Sequence, residues 1–158
     1  MRDVDKDKLI RDYLEGVTQL QDSVARLTDE QRRSHPVAGK WSIHEVVCHL
    51  ADFEPIMTDR MTRVIALEKP DLLGADESLF AKSLAYDARD FDEQLRLIAV
   101  LRSHTARILK ATPEAAFGRI GVHSEAGPLT LEQLIQRATN HLPHHIAFIK
   151  EKRAALGA

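Results

Sequence analysis

Near the start of the chain, Ile10, Tyr13, Val17, Leu20, Val24 and Leu27 recur at alternating gaps of three and four. That is the period of one helical face, so the spacing predicts a first amphipathic helix. Residues 28–40, which include Pro36 and Gly39, carry turn formers and read as a connector. Ser42 followed three residues later by Glu45 is a capping box, in which the hydroxyl accepts from a free backbone N–H and the carboxylate reaches back. A second helix starts there. Its stripe runs through Ile43, Val46, Leu50, Phe53, Met57, Met61 and Val64 to about Leu67, with Pro55 expected to bend it or remove one hydrogen bond. Lys69 and Pro70 end it, and residues 70–87, lacking sustained periodicity, read as a long crossover connection.

Phe91, Leu95, Ile98, Leu101, Thr105 and Ile108 mark a third helix that stops before Pro113. Residues 117–128, with Gly118, Gly121 and Gly127, read as a loop able to form a short hairpin. Thr130 and Gln133 repeat the capping box, after which Leu131, Leu134, Ala138, His141, His145 and Phe148 share one face of a fourth helix ending near Gly157. Four long amphipathic helices with a long crossover describe an all-α four-helix bundle, whose facing side chains commonly build metal sites. With no internal repeat or linker, residues 1–158 are expected to form one domain.

Composition narrows the function classes. Twenty-two Lys and Arg stand against 24 Asp and Glu with the signs interspersed, so no basic stripe is offered to nucleic acid. Charge from the second residue onward and the lack of a long apolar run predict neither a secretory signal nor a membrane span, and so a cytoplasmic protein. Cys48 is the only cysteine, which excludes an internal disulfide and a cysteine-based zinc site.

The candidate chemistry lies in the histidines. His141 and His145, at i and i+4, lie one above the other on a helix and could share one metal. Buried histidines hydrogen-bonded to amide side chains would give the same pattern. A metal site needs a ligand from another helix, and His49 is the best candidate, with Asp52 one turn later able to orient its ring by accepting the second N–H. Taken alone, His49 also describes a helix-edge histidine beside an exposed carboxylate. His144 falls with Arg137, Asn140 and Glu151 on the opposite face and reads as solvated or as a group behind the ligands. The segment His44-Glu45-Val46-Val47-Cys48-His49 approaches the His-Glu-x-x-His pattern of metalloproteases. Its histidines, however, are five apart, about 140° around the helix, and cannot clasp one ion. Cys48 then reads as a small buried hydrophobe, His35 and His104 have no partner pattern, and His123 has no assigned role. Pro143, between the paired histidines, should kink the fourth helix, and a broken local rule there favours a functional site.

Two stretches, residues 40–52 and residues 127–145, resemble the DinB-like (damage-inducible protein) bundles, in helix order over nearly the whole chain. The resemblance implies an up-down-down-up four-helix bundle with a three-histidine site for one divalent metal such as zinc or nickel. One ligand would come from the second helix and two from the fourth, which fall on His49, His141 and His145. It also implies a small-molecule substrate and a homodimer. Members of the family include thiol S-transferases using low-molecular-weight thiols, a thiol-dependent maleylpyruvate isomerase, and proteins described as metal-dependent hydrolases. Three neutral imidazoles leave a coordination position open, so the first expectation is activation of a small thiol. A hydrolase, or a stress-related metal-binding protein without catalysis, are the alternatives.

Overall fold

The structure, a computed structural model, describes residues 4–158. The first helix, α1 (Lys6–Val24), is capped by Asp5, whose side chain accepts from the Lys8 amide. The expected connector holds a short helix, α2 (Asp29–Arg33), because Thr28 and Gln31 make a capping box of their own. The Ser42 and Glu45 box opens α3 (Ile43–Ala66), which continues through Pro55. The crossover is more ordered than its lack of periodicity suggested. It contains a two-residue strand β1 (Asp71–Leu72), a helix α4 (Glu77–Ser83) capped by Asp76, and a single 3-10 turn at Tyr86–Ala88. Helix α5 spans Phe91–Ala111. The glycine-bearing loop forms a hairpin of β2 (Ile120–His123) and β3 (Gly127–Thr130), and β1 adds to β2 in parallel. Gly121 admits that strand: a Cβ there would lie 2.7 Å from Leu72 Cδ1 and 2.8 Å from Val64 Cγ2. Finally α6 (Leu131–Leu156) opens on the Thr130 and Gln133 box and ends at Gly157, in the left-handed region at φ 69°.

The four long helices form the bundle. Helix α1 packs on α5 and α6, and α3 packs on the same two, so α1 and α3 lie diagonally opposite each other. Consecutive long helices α1 and α3, and likewise α5 and α6, therefore need crossovers rather than tight turns. The buried face of α6 is centred on Leu134, Ile135, Ala138, Leu142, Ile146 and Ile149. Phe148, expected inside, is 39% exposed, and His141 and His145 sit at the edge of the face, where a side chain can reach both core and solvent. No described helix is long and apolar enough to cross a membrane.

Helix α5 also departs from expectation, since Arg102 is fully buried. Its guanidinium donates to Glu54 of α3 (Nε to Oε1, 2.6 Å), to the Tyr13 carbonyl of α1 (2.7 Å) and to the Ala138 carbonyl of α6 (2.6 Å). One side chain thus ties all four long helices together. Gly16 leaves room for it, because a Cβ there would come within 3.2 Å of Arg102 Nη1.

Candidate metal centre

Helix α3 brings His49, and α6 brings His141 and His145, to one point on the bundle wall. His49 Nε2 lies 3.1 Å from Nε2 of both His141 and His145, and one ligand atom from each ring falls within 4.8 Å of the others. Two nitrogens held about 2.0–2.1 Å from one ion, at angles between a right angle and the tetrahedral angle, are about 2.9–3.4 Å apart, so both separations from His49 fit a shared ion. The donor set agrees, since imidazole suits several divalent transition metals. The rings meet one another through Nε2, while the Nδ1 atoms of all three are buried without a partner among the described residues. Unpaired buried polar atoms cost about 1–3 kcal/mol each, so the three rings are held here at a cost that the binding energy of an ion shared at Nε2 would offset.

The rings are kept neutral. The Trp41 and Phe53 rings stand 5.1 and 4.7 Å from His49, and burial is the first cause of a lowered pKa in all three histidines. His49 is lowered to about 4, opposed by the Asp52 charge. His141 and His145 are each lowered to about 3, with the charges of neighbouring histidines adding to burial. Neutral imidazoles are the form that binds metal.

A pH prediction follows. In the unfolded chain each histidine titrates near 6.5, above its folded value, so between about pH 6.5 and 4 the unfolded state holds protons that the folded state lacks. Stability of the metal-free protein is therefore complete above pH 6.5 and falls below it, by at most about 4 kcal/mol per pH unit for three rings. Urea midpoints measured with a chelator from pH 7.5 to 4.5 should show that loss, and His141→Ala should make it shallower. A flat profile would show that the rings protonate freely in the fold.

Asp52 does not accept from His49. Its two oxygens take the Tyr86 hydroxyl (2.8 Å) and Arg89 Nη1 (2.7 Å), both from the crossover segment before α5. Burial and the Asp52 carboxylate push the Tyr86 hydroxyl far above its ordinary pKa, so it stays a proton donor. The carboxylate nearest the histidines is instead Glu77 at the start of α4, with Oε2 at 3.7 Å from His49 Nε2 and an exposed side chain. Sequence reasoning missed it because the segment carries no periodic signal, though Asp76 before Glu77 is a helix-start signal.

The remaining candidates fall away from the centre. Cys48 is fully buried, with its thiol pushed up to about 11 by burial, and lies 3.6 Å from His44 Nε2. His44 bonds the Tyr86 carbonyl (2.7 Å), so the near-protease pattern is structural. His35, which showed no partner pattern, pairs with the capping Glu45. His144 is exposed, as expected. His123 accepts through Nδ1 from the Glu125 and Ala126 amides and turns toward a pocket of about 260 Å³ beside the three histidines. Arg137, placed on the solvated face by the sequence reading, lines that pocket with His141, because it sits one turn before His141 in the same row of α6.

The sequence profile of the DinB superfamily matches residues 14–149. A Bacillus licheniformis protein named as a candidate metal-dependent hydrolase is 28% identical over 152 residues, covering 96% of this chain and 86% of its own. YfiT of Bacillus subtilis, of the same description, is 28% identical over 153 residues with the same coverage. The solved structure of YfiT, a four-helix bundle, superposes with a TM-score of 0.89 at 26% identity, over 99% of this chain and 90% of that one. The mycothiol-dependent maleylpyruvate isomerase superposes with a TM-score of 0.73 over 93% of this chain and 62% of that one. At 12% identity, that likeness is one of fold.

Proposed function

This chain belongs to the DinB superfamily, and we propose on that footing that it is a metal-dependent enzyme activating a small nucleophile at His49, His141 and His145. The observation that carries the reading is the meeting of three neutral imidazole Nε2 atoms, with two of the rings, His49 and His141, lining a pocket. When bound, a divalent ion such as zinc or nickel would supply Lewis acidity, which at neutral pH favours the anionic form of a small nucleophile. The three rings would hold the ion, and Trp41 and Phe53 limit water around His49. Glu77 Oε2 faces the same point and is placed to take the proton that the nucleophile loses. Asp52 acts at one remove, fixing Tyr86 and Arg89 beside α3.

The nucleophile we assign is a low-molecular-weight thiol. The only protein thiol, Cys48, is buried, so a sulfur nucleophile would have to come from solution. The names of the relatives support a second reading, in which the nucleophile is water and the reaction a hydrolysis. The metal-loaded protein should accelerate conjugation of monochlorobimane to mycothiol, bacillithiol or glutathione, with activity lost in His141→Ala and retained in Cys48→Ala. Rates equal to those of buffer with all three thiols, beside metal-dependent cleavage of ester or amide substrates, would replace the first reading by the second.

A further inference from the structure

Beyond the histidines the pocket has a second pole. Along α3 the row His49, Phe53, Met57 and Arg60 lines one wall, and Arg137 and His141 of α6 line the facing wall. Both arginines line this pocket, and their charges act on each other. Neither forms an ion pair among the described residues. Arg60 uses Nη2 on the Leu73 carbonyl (2.7 Å), while its Nε is buried without a partner. The two guanidinium charges also oppose each other, since Arg137 is among the causes that lower the Arg60 pKa, after burial and against the pull of Glu125 and Asp59. Two guanidinium groups line one cavity and one of them keeps a buried N–H without a partner, so an oxyanion between them would satisfy that donor and offset their repulsion beyond what Glu125 and Asp59 supply.

We propose that Arg60 and Arg137 form an anion subsite, and that the small molecule acted on at the histidine centre carries a carboxylate or phosphate remote from its reacting atom. The inference rests on the metal-centre reading and deepens it. Its geometry sets the size of the ligand. Arg137 lies one helical turn from His141, about 6 Å along the axis. A cavity of about 260 Å³ holds a chain of several atoms between the two poles. The subsite recognises an oxyanion rather than a defined carbon skeleton, because guanidinium donors match carboxylate and phosphate alike. Phe53, Met57, Leu129 and Leu134, between the poles, favour an apolar linker.

The test uses cobalt-loaded full-length protein and the probes 6-mercaptohexanoate, its neutral amide, and 4-mercaptobutylphosphonate, each titrated by thiolate-to-cobalt absorption. We expect the carboxylate or the phosphonate to bind about tenfold more tightly than the amide in wild type. Whichever anion binds more tightly identifies the oxyanion. In Arg137→Gln, an exposed position whose replacement leaves the core intact, and in Arg60→Gln, the preference should shrink toward parity while amide binding holds. Equal affinities for all three probes in wild type, or an anion preference that survives in the double variant, would overturn the subsite and leave the metal centre standing. Failure of cobalt to bind, or of every thiol to change its spectrum, would overturn the metal-centre reading and the subsite with it.

Discussion

In His141→Ala, zinc or nickel retained after saturation and desalting is expected to fall from about one equivalent to below about a tenth. His141 contributes one of three converging Nε2 atoms, and its loss leaves His49 and His145 as a two-imidazole site whose affinity is too weak to survive desalting. His49→Ala and His145→Ala should behave alike, because each removes one corner of the same triangle. Cys48→Ala should keep its metal, since that sulfur is buried beside His44 and Tyr86 rather than at the cluster. His144→Ala should keep it too, because that ring is exposed and stands beside His145 on the outer side of α6. Binding to the folded state alone stabilises by about 4 kcal/mol at a thousandfold excess over Kd, so wild type should melt higher with metal and His141→Ala should not respond. Wild-type protein that keeps less than about a tenth of an equivalent under the same treatment would remove the site assignment.

The parts of the molecule legible in its sequence are those with a short-range physical signature. Helical periodicity, the Ser42 and Thr130 caps and the four-residue spacing of His141 and His145 are local, and each appears in the structure. What escaped depends on contacts between segments. Asp52 reads as a partner for His49 until Tyr86 and Arg89, from a stretch without periodicity, take both of its oxygens. Glu77 reaches the histidines only because the crossover folds α4 against α3. Arg137 is exposed, as the sequence implied, but its place in the pocket wall was passed over because a charged residue is assigned to solvent by default. Its spacing of four before His141 carried the contrary signal. Arg102 was missed for the same reason, since a stripe read only in apolar residues passes over a charge that is buried with its partner.

That arginine carries the largest stability prediction: Arg102→Met should destabilise the protein by about 3–5 kcal/mol, a large share of the roughly 5–15 kcal/mol that holds a domain folded. The size comes from what remains behind. Glu54 is fully buried, and its carboxyl is pushed up by burial and pulled back chiefly by the Arg102 guanidinium. Without that guanidinium it must either stay charged in an apolar interior or take up a proton. The Tyr13 and Ala138 carbonyls lose a donor as well, but both lie inside helices and keep their ordinary partner four residues on, so they add little. The test is a double-mutant cycle in urea with Arg102→Met, Glu54→Leu and the pair. A buried ion pair replaced as a whole by apolar groups of similar volume is often near neutral, so the double variant should be more stable than Arg102→Met by about 2 kcal/mol or more. Ala138 lies one turn before Leu142 and three residues before His141, so loss of the Arg102 tether should also loosen α6 beneath the histidines. The double variant should therefore recover stability without fully recovering metal affinity. A single variant that loses less than about 1 kcal/mol, or a cycle whose effects simply add, would show that Arg102 and Glu54 are not coupled and that the four helices are held by apolar packing alone.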